Sequence, residues 1–110
     1  GYRLEHNKKI ICYLSDNEYH GTQFAELKDF VEGAHIVIWD GMFTDKELLT
    51  KKGWGHSSID EGINFFEKCD VEKLLITHHA PERSDDQLDE ISAQLPEHVE
   101  LAFDGMSCKF

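Results

Sequence analysis

Four residues in this chain could do chemistry together: Asp16, Asp40, His56 and His78. Each stands where an apolar run gives way to a loop, or just ahead of a helix start. The segments are Leu14-Ser15-Asp16-Asn17, Trp39-Asp40-Gly41, Gly55-His56-Ser57 and Thr77-His78-His79. Side chains at the carboxyl ends of strands sit on the rim of a sheet, where they can point into a cleft instead of the core. Carboxylates and imidazoles gathered on one rim can bind a metal ion or exchange protons. These residues alone are too few to close a metal site, and they read as half of an active centre.

Each residue also has a blander reading. Asp16 and Asp40 could be Asx-turn residues that close their strands, although a carboxylate at Asp16 could bridge two cations. Gly41 beside Asp40 leaves room for close approach. His56 could be a local cap, and His78 a hydrogen-bonded core histidine. His79 adjoins His78, and neighbouring strand residues point to opposite sides, so at most one of the two faces the rim. Trp54, between two glycines, reads as a lid over the cleft's edge. His6, His20, His35 and His98 have no ligand spacing.

The elements that must position these groups follow from periodicity. Residues 9–15 (KIICYLS), 34–39 (AHIVIW) and 73–77 (KLLIT) are apolar runs expected of strands buried on both faces. Arg3-Leu4-Glu5-His6, joined through Asn7-Lys8, predicts a hairpin partner for the first run. Phe24, Leu27, Phe30 and Val31 recur at helical spacing up to Gly33. Thr44 with Glu47, Ser58 with Glu61 and Ser84 with Gln87 are capping-box patterns. They open helices carrying Leu48 and Leu49, then Ile59, Ile63 and Phe66, then Leu88, Ile91 and Leu95. Pro96 stops the last helix. A final strand is expected over 99–103, with Asp104-Gly105 turning into 106–110. Strands alternating with helices make a single α/β unit.

Composition narrows the chemistry. A length of 110 residues suits one domain, and a net charge of −11 argues against nonspecific nucleic-acid binding. Cys12, Cys69 and Cys108 are an odd number without metal-ligand or disulfide spacing, which predicts free thiols in the cytoplasm. No stretch is long and apolar enough to span a membrane, so no membrane partner is expected. No G-x-S-x-G elbow and no glycine-rich phosphate loop occurs. Of the remaining reaction classes, metal-assisted hydrolysis fits best.

The order of segments resembles the carboxyl-terminal half of a metallo-β-lactamase-fold hydrolase, in the style of the ribonuclease Z and cyclic-nucleotide phosphodiesterase branch. The similarity runs from Tyr2-Arg3-Leu4-Glu5 to Asp104-Gly105-Met106. It is carried by Leu14-Ser15-Asp16-Asn17, Ile38-Trp39-Asp40-Gly41-Met42-Phe43, Gly53-Trp54-Gly55-His56-Ser57-Ser58 and Leu75-Ile76-Thr77-His78-His79-Ala80-Pro81. The resemblance implies an α/β fold that is half of a four-layer αββα metallo-β-lactamase-like sandwich, a mixed sheet with flanking helices. It implies two divalent metal ions (Zn, Mn or Fe), with Asp16 bridging them and His78 ligating one. His56 would protonate the leaving oxygen, and Asp40 would orient it, where ribonuclease Z enzymes usually carry glutamate. Ser15 and Asn17 stand where the family has Gly and Thr. The His-x-His-x-Asp-His cluster is absent, so residues 1–110 would be completed by an amino-terminal half upstream of residue 1.

Two functions follow as expectations. One is a metal-dependent hydrolase of a phosphodiester or related ester, acting on a small-molecule or nucleotide-type substrate and inactive without the missing half. The other is a noncatalytic α/β assembly or binding module whose open apolar sheet face drives self-association, including a homo-oligomer.

Overall fold

A computed structural model describes residues 1–14 and 17–107. Asp16 and Cys108 therefore lie outside the described residues. Among those described, β1 (Tyr2–His6), β2 (Lys9–Leu14), β3 (Ile36–Asp40), β4 (Lys73–Thr77) and β5 (Val99–Leu101) form one sheet. The helices are α1 (Phe24–Val31), α2 (Asp45–Leu48), α3 (Ile59–Glu67) and α4 (Asp85–Ala93), with a short 3-10 turn over Gly21–Gln23 ahead of α1. β1 pairs antiparallel with β2 through a turn in which Asn7 and Lys8 both take left-handed backbone angles, φ +50° and +66°. That is the geometry a two-residue hairpin needs. β2, β3, β4 and β5 are mutually parallel.

The strand order β1-β2-β3-β4-β5 follows the sequence without a reversal. Parallel crossovers are right-handed, so an order that never reverses places every connecting helix on the same side of the sheet. The core confirms a single helical layer: Cys12, Leu14, Val37, Trp39, Leu74, Ile76 and Val99 alternate along their strands to face Val31, Ile59 and Phe65. The three capping boxes form as predicted, each with the hydroxyl of Thr44, Ser58 or Ser84 accepting from the N–H three residues on.

Several expectations are corrected. β2 is buried on one face only: Cys12 and Leu14 are inside, whereas Tyr13 is 41% exposed and faces Tyr2 across the hairpin. Its unbroken apolar run reflects two apolar faces, of which the helices cover one. On the uncovered side Tyr2, Leu4 and Tyr13 are exposed. α3 buries Ile59, Gly62 and Phe65, with Ile63 and Phe66 at the margin of the core. Leu49 is exposed beyond the end of α2. β5 stops at Leu101, leaving Phe103 exposed, and Asp104-Gly105 turns without a strand after it among the described residues.

Gly62 shows how tightly α3 is seated. A Cβ there would lie 2.6 Å from Trp39 Cδ1 and 2.7 Å from Nε1. The indole cannot yield, since it stacks on Phe65 at 5.2 Å, meets Tyr19 edge-on, and donates Nε1–H to the Ser58 carbonyl at 3.0 Å. Gly62→Ala should therefore destabilise the fold by about 1–2 kcal/mol in urea unfolding, the overpacking cost exceeding the roughly 1 kcal/mol gained in helix propensity. A neutral or stabilised variant would show that α3 does not lie this close to the sheet.

Candidate metal and acid–base site

The parallel strands all finish on one edge. Leu14 pairs with Trp39, Trp39 with Ile76, Ile76 with Leu101, and Asp40 with Thr77. Asp40 is the last residue of β3, the sheet's central strand, and it is wholly buried at 0% exposure. A carboxylate shut away from water persists only when its oxygens have donors. Oδ1 accepts the Met42 N–H at 3.3 Å, and Oδ2 lies 2.8 Å from His56 Nδ1. An ionised carboxylate can only accept, so with Asp40 in that form the contact requires the proton on His56 Nδ1 and leaves Nε2 turned away.

His56 reaches Asp40 because the strand that ends at Asp40 continues into a second, smaller pairing. Phe43 forms a parallel bridge with Ser58, the Phe43 N–H bonding the Ser57 carbonyl at 3.3 Å and the Ile59 N–H bonding Phe43 at 2.8 Å. Ser58 is the α3 N-cap, so the helix start and the bridge together fix His56 beside Asp40.

His78 arrives from β4 by an unusual route. It adopts φ +62°, a left-handed conformation that costs a residue with a Cβ about 1 kcal/mol or more. The bend brings Nδ1 to 3.7 Å from Asp40 Oδ2 and sets its ring 4.4 Å from that of His56. His79 goes elsewhere, its Nε2 pairing with the Ala102 carbonyl at 2.9 Å. One of the two neighbouring histidines thus joins the rim group, as the sequence expects. Asp40, His56 and His78 each offer a ligand atom, and these atoms lie within 4.8 Å of one another. Nitrogen and oxygen donors so placed suit zinc, manganese or iron. Asp40 already accepts from the Met42 N–H and lies against His56 Nδ1. Asp16, the expected bridging ligand, lies outside the described residues.

Contacts that sequence reasoning missed hold the loops together. The buried Ser57 hydroxyl accepts the Tyr19 N–H at 2.9 Å and donates to the Asn17 carbonyl, tying the His56 loop to the residue after Asp16. Glu18 Oε1 accepts from the N–H groups of Gly53 and Gly55. Arg83, its side chain only 8% exposed, donates Nη2 to the Met42 carbonyl at 3.1 Å and to Glu47 at 2.7 Å. It thereby ties the loop after His78 to the loop after Asp40. Burial pushes the Glu47 carboxyl up, but the Thr44 N–H, Arg83 and the Thr44 hydroxyl together bring it below its ordinary value. These partners lie 35 to 41 residues apart in sequence, and no local pattern announces them.

Other groups are set aside by the geometry. Burial pushes the thiols of Cys12 and Cys69 up, away from the reactive thiolate form. A cavity of about 700 Å³ between α4 and β5 is lined by His79 and Leu88 but by none of Asp40, His56 or His78. Chemistry decides here over size, and the rim group is the candidate site.

The tautomer is testable. In an Asp40→Asn variant, the amide oxygen must stay on the Met42 N–H, so the amide NH₂ faces His56. Neutral His56 should then move its proton from Nδ1 to Nε2, read as an exchange of the two ring ¹⁵N shifts by NMR. Unchanged shifts would show that Asp40 does not set the ring.

Comparison with known proteins accords with this geometry. One solved structure, described as a new diphosphatase from the PhnP family, superposes with a TM-score of 0.68 at 23% identity. The likeness covers 91% of this chain but 35% of that one, so the chain spans about a third of that protein's length. No curated protein matches the chain. The family model of the beta-lactamase superfamily domain matches residues 1–79, from β1 through both histidines after β4. By that family match the chain belongs to the β-lactamase superfamily, and by the superposition it carries part of the metallo-β-lactamase fold.

Proposed function

We propose that this chain contributes part of the active centre of a metal-dependent hydrolase acting on a phosphodiester or related ester. The observation that carries the reading is the 2.8 Å contact between buried Asp40 and His56, with His78 alongside. Asp40 holds the imidazole by one nitrogen, so the other can present a proton to a departing oxygen. His78, with Asp16, would hold divalent ions. When bound, such ions neutralise charge developing on the substrate oxygens and activate water. The roles belong to different residues: His78 binds, His56 moves a proton, and Asp40 keeps His56 in place.

Residues 1–110 are read as the carboxyl-terminal half of the domain, with further metal ligands supplied by an amino-terminal half. Three observations support this: the small ligand set, the apolar sheet face around Tyr2, Leu4 and Tyr13 that no helix covers, and the 35% share of the solved relative. The nitrogen and oxygen donors support a reading with two divalent ions, zinc among the candidates. A cytoplasmic setting is supported by the free thiols of Cys12 and Cys69. No helix among the described residues is long and apolar enough to cross a membrane. The exposed sheet face also suits an assembly module, but that reading leaves the buried Asp40–His56 pair without a purpose.

Substitutions in the full-length protein separate the roles. His56→Ala should keep its metal while turnover of a phosphodiester falls by about 10²–10⁴. His78→Ala and Asp16→Ala should each lose metal by elemental analysis. Loss of metal from His56→Ala, with His78→Ala fully loaded, would overturn the assignment.

A further inference from the structure

Two residues before His56 stands a side chain that the hydrolase reading does not use. Trp54 is 59% exposed, unlike Trp39, which is buried in the core. An indole left in water at the tip of a loop forgoes the burial that normally places tryptophan inside. The loop around it is nevertheless held firmly. Gly53 and Gly55 on either side take φ +89° and +86°, values that side-chain-bearing residues rarely adopt. Both of their N–H groups point at Glu18 Oε1, and the Trp54 N–H bonds the Lys51 carbonyl at 3.2 Å. The ring is held as well, for Lys51 Nζ sits 4.0 Å from its centroid. A flexible loop would let the indole fold down onto apolar surface. This one is pinned at three backbone positions and keeps the ring outward.

A cation stands on the ring itself, while the Glu18 carboxylate is taken up by the backbone N–H groups of Gly53 and Gly55. The chain carries a net charge of −11, yet the Lys51 ammonium lies 4.0 Å from the Trp54 ring centroid, and Lys52 follows it in sequence. Chain geometry limits the Trp54 Cα to about 7 Å from that of His56. A ligand whose phosphoryl group lies at His56 therefore has Trp54 within reach of the rest of its body. Lys51 covers one part of the ring, and the remaining surface is a flat, sequence-tolerant stacking platform of the kind used for nucleobases.

We propose that Trp54, fixed by Glu18 and Lys51, is a specificity-determining residue that stacks on a planar aromatic group of an anionic phosphoester ligand, a nucleobase above all. The inference rests on the hydrolase reading for the place of the phosphoryl group, but its test is read from binding rather than turnover. The full-length protein is labelled with 5-fluorotryptophan, and Trp54→Phe assigns the Trp54 ¹⁹F resonance. Adenosine 5′-monophosphate should shift that resonance saturably, and ribose 5-phosphate at the same concentration should not. Trp54→Ala should weaken adenosine 5′-monophosphate binding about tenfold and bring its affinity down toward that of ribose 5-phosphate, while Trp54→Phe, which keeps a ring, should restore most of the difference. A Trp54 resonance that ignores both ligands, or responds equally to both, would overturn the inference. So would finding Trp54 shielded from solvent by another part of the full-length protein. A shift on binding in a protein that hydrolyses no ester would uphold the platform and bring down the hydrolase reading instead.

Discussion

A carboxylate with no access to water, joined to an imidazole at 2.8 Å, organises everything around it. Burial removes the solvent that would otherwise satisfy Asp40, so the protein must supply donors, and it supplies the Met42 N–H and His56. The second donor comes from a segment 16 residues away in sequence. Bringing it there requires the Phe43–Ser58 bridge, the Ser58 cap on α3, and the close seat of α3 against Trp39. Without His56, Oδ2 of the buried carboxyl would lack the partner it has at 2.8 Å. The geometry of the site is in this sense a condition of the fold's stability, and a site built this way is rigid before any ligand arrives.

The same logic explains the strain at His78. An extended residue at 78 would continue the alternation of β4 and project its side chain from a face of the sheet. The left-handed turn at φ +62° brings its ring back over that of His56 instead. A residue with a Cβ held in that region marks a place where the surroundings outweigh local preference. Arg83 contributes by tying the following loop to Met42 and to the α2 cap, so the segments carrying Asp40 and His78 cannot drift apart.

Much of this was legible in the residues. The capping boxes at Thr44, Ser58 and Ser84 gave helix starts because the pattern encodes a local hydrogen-bond pair. The apolar runs gave β2, β3 and β4, and the change to polar residues marked the rim where Asp40 and His78 stand. What stayed hidden is long-range. Nothing near Glu18 predicts that it collects the N–H groups of Gly53 and Gly55, and nothing near Ser57 predicts its bonds to Asn17 and Tyr19. The run in β2 read as buried on both faces because composition records that a face is apolar, without recording what covers it. The sequential strand order decides that, by sending every helix to one side. Asp16, readable as a candidate ligand from its place at a strand end and from the family resemblance, lies outside the described residues.

The proposal at the centre is a division of labour on this rim, in which His78 would bind metal and the Asp40–His56 pair would not. Anomalous scattering from manganese in crystals of the full-length protein tests it most directly. The account predicts an anomalous peak at coordination distance from a ring nitrogen of His78, with His56 Nδ1 still bonded to Asp40. A peak coordinated by both Asp40 and His56, or none near His78 in a fully loaded enzyme, would contradict it.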